Sequence, residues 1–197
     1  MRFEDLKAEW TKNGNVLHTY EINRISKFNL SLASIEFLTK VGLPEDSAPF
    51  LSFVKDNDDP YEGIVDMIIA YDFLEAEFNK YIRIGSDGEG NPIVINIEAN
   101  DRIEILDHED DFLSRYMNAS LITLLKYLLV YREFVQTVIK ENGDEAFLDS
   151  NFTIEQFENL KSEMNAIDPK ALIEDSFWNQ ELELLLANRE DFFRNKP

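Results

Sequence analysis

Apolar residues recur at helical spacing in several parts of the chain and cluster as short strands between them. Phe3, Leu6 and Trp10 predict an amphipathic helix over 3–12, closed by the turn-forming pair Asn13-Gly14. Val16 to Tyr20 has the make-up of a strand, and Ile22, Ile25 and Phe28 are expected in the core. Ser31 is placed to cap a helix over 32–40 that turns Leu32, Ile35, Phe37 and Leu38 inward. Gly42 suits a left-handed helix end, and Pro44 blocks continuation. Residues 49–54 (PFLSFV) read as a strand followed by the charged loop Lys55 to Pro60. The run Ile64 to Phe73 is too short for its period to separate strand from helix.

Tyr81 to Ile84 and Ile93 to Ile97 are the clearest strands. Gly85, Gly88 and Gly90 between them supply freedom for positive φ in the connecting turn. Asn100-Asp101 makes a second turn before Ile103, Ile105 and Leu106, which predicts an antiparallel meander. From the cap Ser120 the period becomes helical, with Leu121, Leu124, Leu125, Leu128 and Val135 on one face. Thr153 and Gln156 form a capping box ahead of Phe157, Leu160 and Met164. Asp168-Pro169 offers another helix start, and Ser176 to Ala187 a final helix containing Phe177 and Trp178. Spacing from Trp178 to Leu182 and Leu185 assigns this pair to the core. A compositional dip at 140–151 separates a core over 1–140 from a C-terminal helical extension over 141–197 packed on the same domain.

Composition narrows the possible roles. A hydrophobic fraction of 44% with 15 Phe and 7 Tyr supplies a sizeable core and argues against disorder. No cysteine is present, which removes disulfide and thiolate chemistry and weakens a structural zinc site. No stretch approaches the ~18 apolar residues of a membrane span, and the opening MRFEDLKAEW carries acids where a signal peptide needs an apolar run. The expected location is therefore the cytoplasm. With 39 acidic and 19 basic residues the formal charge is −20, which repels nucleic-acid backbones and favours a basic protein partner. The same self-repulsion predicts a monomer in isolation.

Candidate chemistry is sparse. Asp87, Glu89 and Asn91 match positions 1, 3 and 5 of a calcium loop and Glu98 matches position 12, but Pro92 replaces the required glycine and the flanks read as strands. Asp107 to Asp111 includes His108, yet adjacent residues cannot all converge on one metal. GSDGEG lacks both the nucleophile-elbow pattern and the lysine of a phosphate loop. Neither catalysis nor a cofactor is expected. The acidic runs fit protein recognition better, with Asp56, Asp58, Asp59 and Tyr61 in one loop and Asp107, Glu109, Asp110 and Asp111 in the other. Tyr116 is a further aromatic candidate beside the second loop.

The ordered set FLTKVGLP (37–44), YIRIGSDGEGNPIVINIEA (81–99), RIEIL (102–106), NASLITLLKYLLVY (118–131) and SFWNQELELLL (176–186) resembles the SUKH superfamily, over most of the chain. The SFW segment looks like one bacterial immunity branch. The resemblance implies an α+β fold, a twisted and mainly antiparallel sheet with packed helices. It also implies an immunity protein that neutralises a cognate polymorphic toxin, often a nuclease, by stoichiometric contact. Gly42, Leu43, Pro44, Gly85, Asp87, Gly88 and Gly90 fall on the family's structural signatures and carry no catalytic motif. The alternative within the same fold is an intracellular regulator or scaffold without a toxin.

Overall fold

The turn at Asp87 to Asn91 and the central strands it joins organise the molecule. The computed structural model describes residues 2–57, 59 and 62–195. Helices are α1 (Phe3–Thr11), α2 (Ile22–Ile25), α3 (Leu32–Lys40), α4 (Met67–Ala70), α5 (Leu121–Asn142), α6 (Ile154–Ile167) and α7 (Phe177–Asn195). Strands are β1 (Asp46–Ser47), β2 (Leu51–Phe53), β3 (Val65–Asp66), β4 (Tyr81–Ser86), β5 (Pro92–Asn96), β6 (Arg102–Asp107) and β7 (Leu113–Asn118). Among the described residues these strands form one antiparallel sheet in the order β1-β2-β4-β5-β6-β7, with β3 also paired to β4. The fold is α+β, as the pattern of strands and helices predicts. No described helix is long and apolar enough to cross a membrane.

Strand β5 is buried at every position, which is why Pro92 to Ile95 are apolar without alternation, and the buried Asn96 that follows donates to Glu104. One face of the sheet carries Ile82, Ile84, Ile93, Ile95, Ile103 and Ile105 against the helices, in a core that extends from Leu6 to Leu185. The other face carries Tyr81, Val94 and Leu106 beneath Met67, Tyr71, Leu74 and Phe78. The ambiguous run Ile64 to Phe73 thus resolves into β3 and α4, the start of a cover over the second face. Its apolar residues look aperiodic because they pass from a strand to a helix within a few positions.

Several expectations change. Val16 to Tyr20 is not a strand but makes a single bridge between His18 and Leu43. Gly42, at φ 88°, permits it, since a Cβ there would lie 2.1 Å from the His18 carbonyl oxygen. Leu32 and Ile22 are exposed, because the buried face of α3 is Ser34, Phe37 and Leu38, while α2 turns only Ile25 inward. Of the three glycines around the hairpin, only Gly90 uses positive φ, at 92°. Gly85 instead lies in β4, where the Ser52 carbonyl oxygen leaves no space for a side chain.

The predicted cap at Ser120 and the predicted capping box at Thr153 both form, and Ser120 makes a capping box as well, with Thr123. Ser120 accepts from the Thr123 amide, and Thr153 from the Gln156 amide. Pro169 opens a short 3-10 turn, Pro169–Leu172, and Asp168 does not cap it. Its carboxylate instead accepts hydrogen bonds from the Tyr116 hydroxyl at 3.0 Å and the Ala119 amide at 2.9 Å. The Asp168 carbonyl accepts from the buried Tyr127 hydroxyl at 2.6 Å. Trp178, fully buried, packs on Tyr127 and Tyr131 and donates its indole N–H to Asn118 Oδ1 at 3.0 Å. These contacts fix α7 against both β7 and α5.

Trp178→Phe keeps most of the ring packing but leaves Asn118 Oδ1 without its donor, so a stability loss of about 1–3 kcal/mol is expected from urea unfolding. Trp178→Ala also opens a cavity and is expected to lose about 3–5 kcal/mol. Equal unfolding midpoints for the two variants would contradict this division between hydrogen bond and packing.

Candidate functional site

The predicted acidic residues fall into two groups with different physical standing. Asp56 sits half-buried, ion-paired to Arg24 at 2.7 Å, and accepts from the Glu21 amide. Asp59 is exposed, with its carbonyl turned to the amides of Glu62 and Gly63. Asp58 and Tyr61 lie outside the described residues. Asp107 is paired with Arg115 at 2.6 Å and also accepts from the Glu109 amide. Asp56 and Asp107 therefore hold loops in place, with their charge already opposed. Glu109, Asp110 and Asp111 project into solvent and carry no ion pair among the described residues.

This second run ends on an aromatic group that the sequence reading did not pick out. Phe112 packs on Tyr71 with ring centroids 5.2 Å apart and on Phe73 at 6.0 Å, and Phe73 is 70% exposed. Tyr116 belongs elsewhere, since its hydroxyl is taken by Asp168 and its ring faces Lys170. Exposed carboxylates beside an exposed ring give charge for approach and apolar area for contact.

The hairpin turn is held by its own side chains. Asp87 accepts from the Glu89 amide at 3.0 Å and from the Asn91 amide at 2.8 Å, and its other oxygen from the Asn91 side chain. Asn91 Oδ1 in turn accepts from the His108 amide and lies 2.7 Å from the His108 ring nitrogen. The calcium-like residues therefore build a turn and tie it to the loop after β6. Among the described residues no three His, Asp or Glu side chains are arranged as metal ligands. Glu104, on the sheet's second face, is buried yet fully engaged. Burial pushes its carboxyl up, but hydrogen bonds from Ser114, Arg102 and Asn96 outweigh that and hold it below the ordinary range.

The same turn also walls a groove. One cavity of about 470 Å³ is walled by Pro49, Phe50, Asp87, Glu89, Glu181 and Leu184. A second of about 630 Å³ shares Pro49, Phe50, Gly88 and Phe147 with it and reaches Asp46. Phe50, Leu148 and Leu184 on the rim are 72%, 69% and 56% exposed. Glu181 makes no hydrogen bond or ion pair among the described residues. Burial, then the charges of Asp87 and Glu89, push its carboxyl up to about 7. The sequence held one signal for this residue: it follows Trp178 by three and precedes Leu185 by four, so it shares the apolar face of α7.

A carboxyl whose folded value is raised binds its proton more tightly when folded than when unfolded. Its stabilising share is complete below 4.5 and is lost as pH rises through about 7. Glu181→Gln is therefore expected to match the parent's melting temperature at pH 4 and exceed it at pH 8. The gain should be roughly 1–2 kcal/mol, reduced by water on the open side of the groove. A gain that is the same at both pH values would contradict the assignment.

No curated protein and no solved structure matches the chain. A family model, described as SUKH-4 immunity protein, matches residues 4–186. That span runs from α1 into α7, and takes in both acidic loops, the hairpin turn and the Glu181 end of the groove. With nearly all of its ordered elements inside the match, the chain belongs to the SUKH-4 immunity-protein family.

Proposed function

We propose that the chain is an immunity protein that binds a cognate protein toxin and neutralises it by stoichiometric contact. The observation that carries this reading is the family match across residues 4–186. The formal charge of −20 supports a basic toxin, with a nuclease as the class that such a field suits best. Asp59, Glu109, Asp110 and Asp111 are exposed, so their field reaches an approaching partner. Phe73 and Phe112 adjoin the second of these segments and supply apolar area once the partner has arrived. In this mechanism charge accelerates encounter, while the buried ring and the desolvated charge pairs set the residence time.

Co-expression with a toxin encoded beside it is expected to restore growth, and titration of the purified toxin should reach full inhibition at a one-to-one ratio. Reversing Glu109, Asp110 and Asp111 to lysine is expected to slow association about tenfold at low salt and to flatten its salt dependence. Full toxicity in the presence of the folded chain would overturn the immunity reading and favour a regulator or scaffold. Unchanged association and salt dependence in the triple variant would overturn the role of this loop alone.

A further inference from the structure

We propose that the groove between the β4–β5 turn and α7 is the docking site for a basic, apolar-flanked segment of the protein partner, with an arginine or lysine head against Glu181. The assignment rests on the protein-binding role proposed above and adds the surface and the chemistry of what it takes.

Three features of the groove point to this occupant. Its described lining contains the acids Asp46, Asp87, Glu89 and Glu181 and no lysine or arginine. The basic side chains of α7 nearby are turned elsewhere, Arg189 to the Phe152 carbonyl and Arg194 to Asp191. Next, Phe50, Leu148 and Leu184 leave large apolar surfaces in water along the rim, where single exposed residues are ordinary but a lined groove is not. Finally, Glu181 sits on the apolar face of its helix with no counter-ion among the described residues, while two further carboxylates face it.

An arginine or lysine matches this combination because its aliphatic stem covers apolar surface while its head meets carboxylates. A second copy of this chain would bring another −20 charge to an already acidic groove, and nucleic acid or an anionic membrane would be repelled for the same reason. A basic protein segment is the occupant that satisfies both the charge and the apolar rim. Leu148 and Leu184 would flank the stem, and Phe50 would close the end nearest the hairpin turn.

The groups facing Glu181 are Asp87 and Glu89 from the turn and Tyr131 from α5, while Asp149 lies on the loop beyond. A cation placed among them favours the ionised carboxylate, so docking releases the proton that Glu181 holds near neutral pH. Affinity should therefore rise as pH increases from 6 to 8.

The test uses a short capped peptide of alternating arginine and leucine, titrated into the full chain and followed by amide chemical shifts. The same peptide with citrulline in place of arginine keeps the stem and removes the charge. Saturable shifts are expected at 87–89, 148–150 and 181–188, with binding at least about tenfold weaker for the citrulline peptide. Glu181→Lys and Leu184→Ala should each weaken binding about fivefold or more, while Glu163→Lys on α6 serves as a charge control and should stay within about twofold. Loss of the pH dependence is expected in Glu181→Gln. Shifts spread evenly over all acidic segments, equal binding of the citrulline peptide, or equal effects of Glu181→Lys and Glu163→Lys would overturn the proposal. Because this test needs no toxin, a chain that protects cells but fails it keeps its immunity role and loses only the groove.

Discussion

The buried carboxylate of Asp168 is the contact on which the arrangement of the C-terminal helices depends. A carboxylate removed from water must find donors, and this one takes the Tyr116 hydroxyl of β7 and the Ala119 amide at the entrance to α5. Its own carbonyl takes the Tyr127 hydroxyl from within α5. A single residue thus joins the last strand, the long helix and the link between α6 and α7. Trp178 then fills the space between Tyr127 and Tyr131, and its indole N–H closes on Asn118. With Trp178 fixed, helical geometry places Glu181 and Leu184 over the hairpin turn. The groove therefore follows from the same contacts that hold α7 to the sheet.

Much of the fold was legible because its signals are local. Ser31, Ser120 and Thr153 each sit immediately before an apolar period, and the structure uses all three as caps whose side-chain oxygens accept from amides of the first turn. The strands around GSDGEG were equally clear, since a turn sequence lies between two apolar runs. Failures came where tertiary contact decides. Leu32 is apolar yet exposed because the helix presents a neighbouring face to the core. Val16 to Tyr20 has strand composition, but its backbone meets the α3 end only at the His18–Leu43 bridge and at the Tyr20 amide bond to the Leu38 carbonyl, too little for a strand. Asp168 looked like a cap for Pro169, but the two hydrogen bonds it makes to β7 and Ala119 take its carboxylate away from the helix end.

The candidate surface divides in the same way. Runs such as Asp107 to Asp111 are visible in sequence as charge, but the ion pair of Asp107 with Arg115 is not, and it separates a loop anchor from its exposed neighbours. The groove was harder still, because it is assembled from residues near 50, 88, 148 and 184 that no window of sequence brings together. Its only local trace is an acid on the apolar stripe of α7. In physical terms such a residue departs from the pattern of its helix, and departures of that kind mark places where stability gives way to recognition.

The β4–β5 turn walls the acidic groove, is tied through Asn91 to His108 in the acidic loop, and is brought by Gly88 beside Phe50. A partner that engages this region would meet a surface already ordered by Asp87 and its hydrogen bonds. The most direct measurement is hydrogen–deuterium exchange of the chain alone and in complex with the toxin partner proposed for it. Slowed exchange is expected at 86–91, 147–151 and 181–188 in the complex. Protection confined to α2, α3 or α6, with these three segments unchanged, would contradict this expectation.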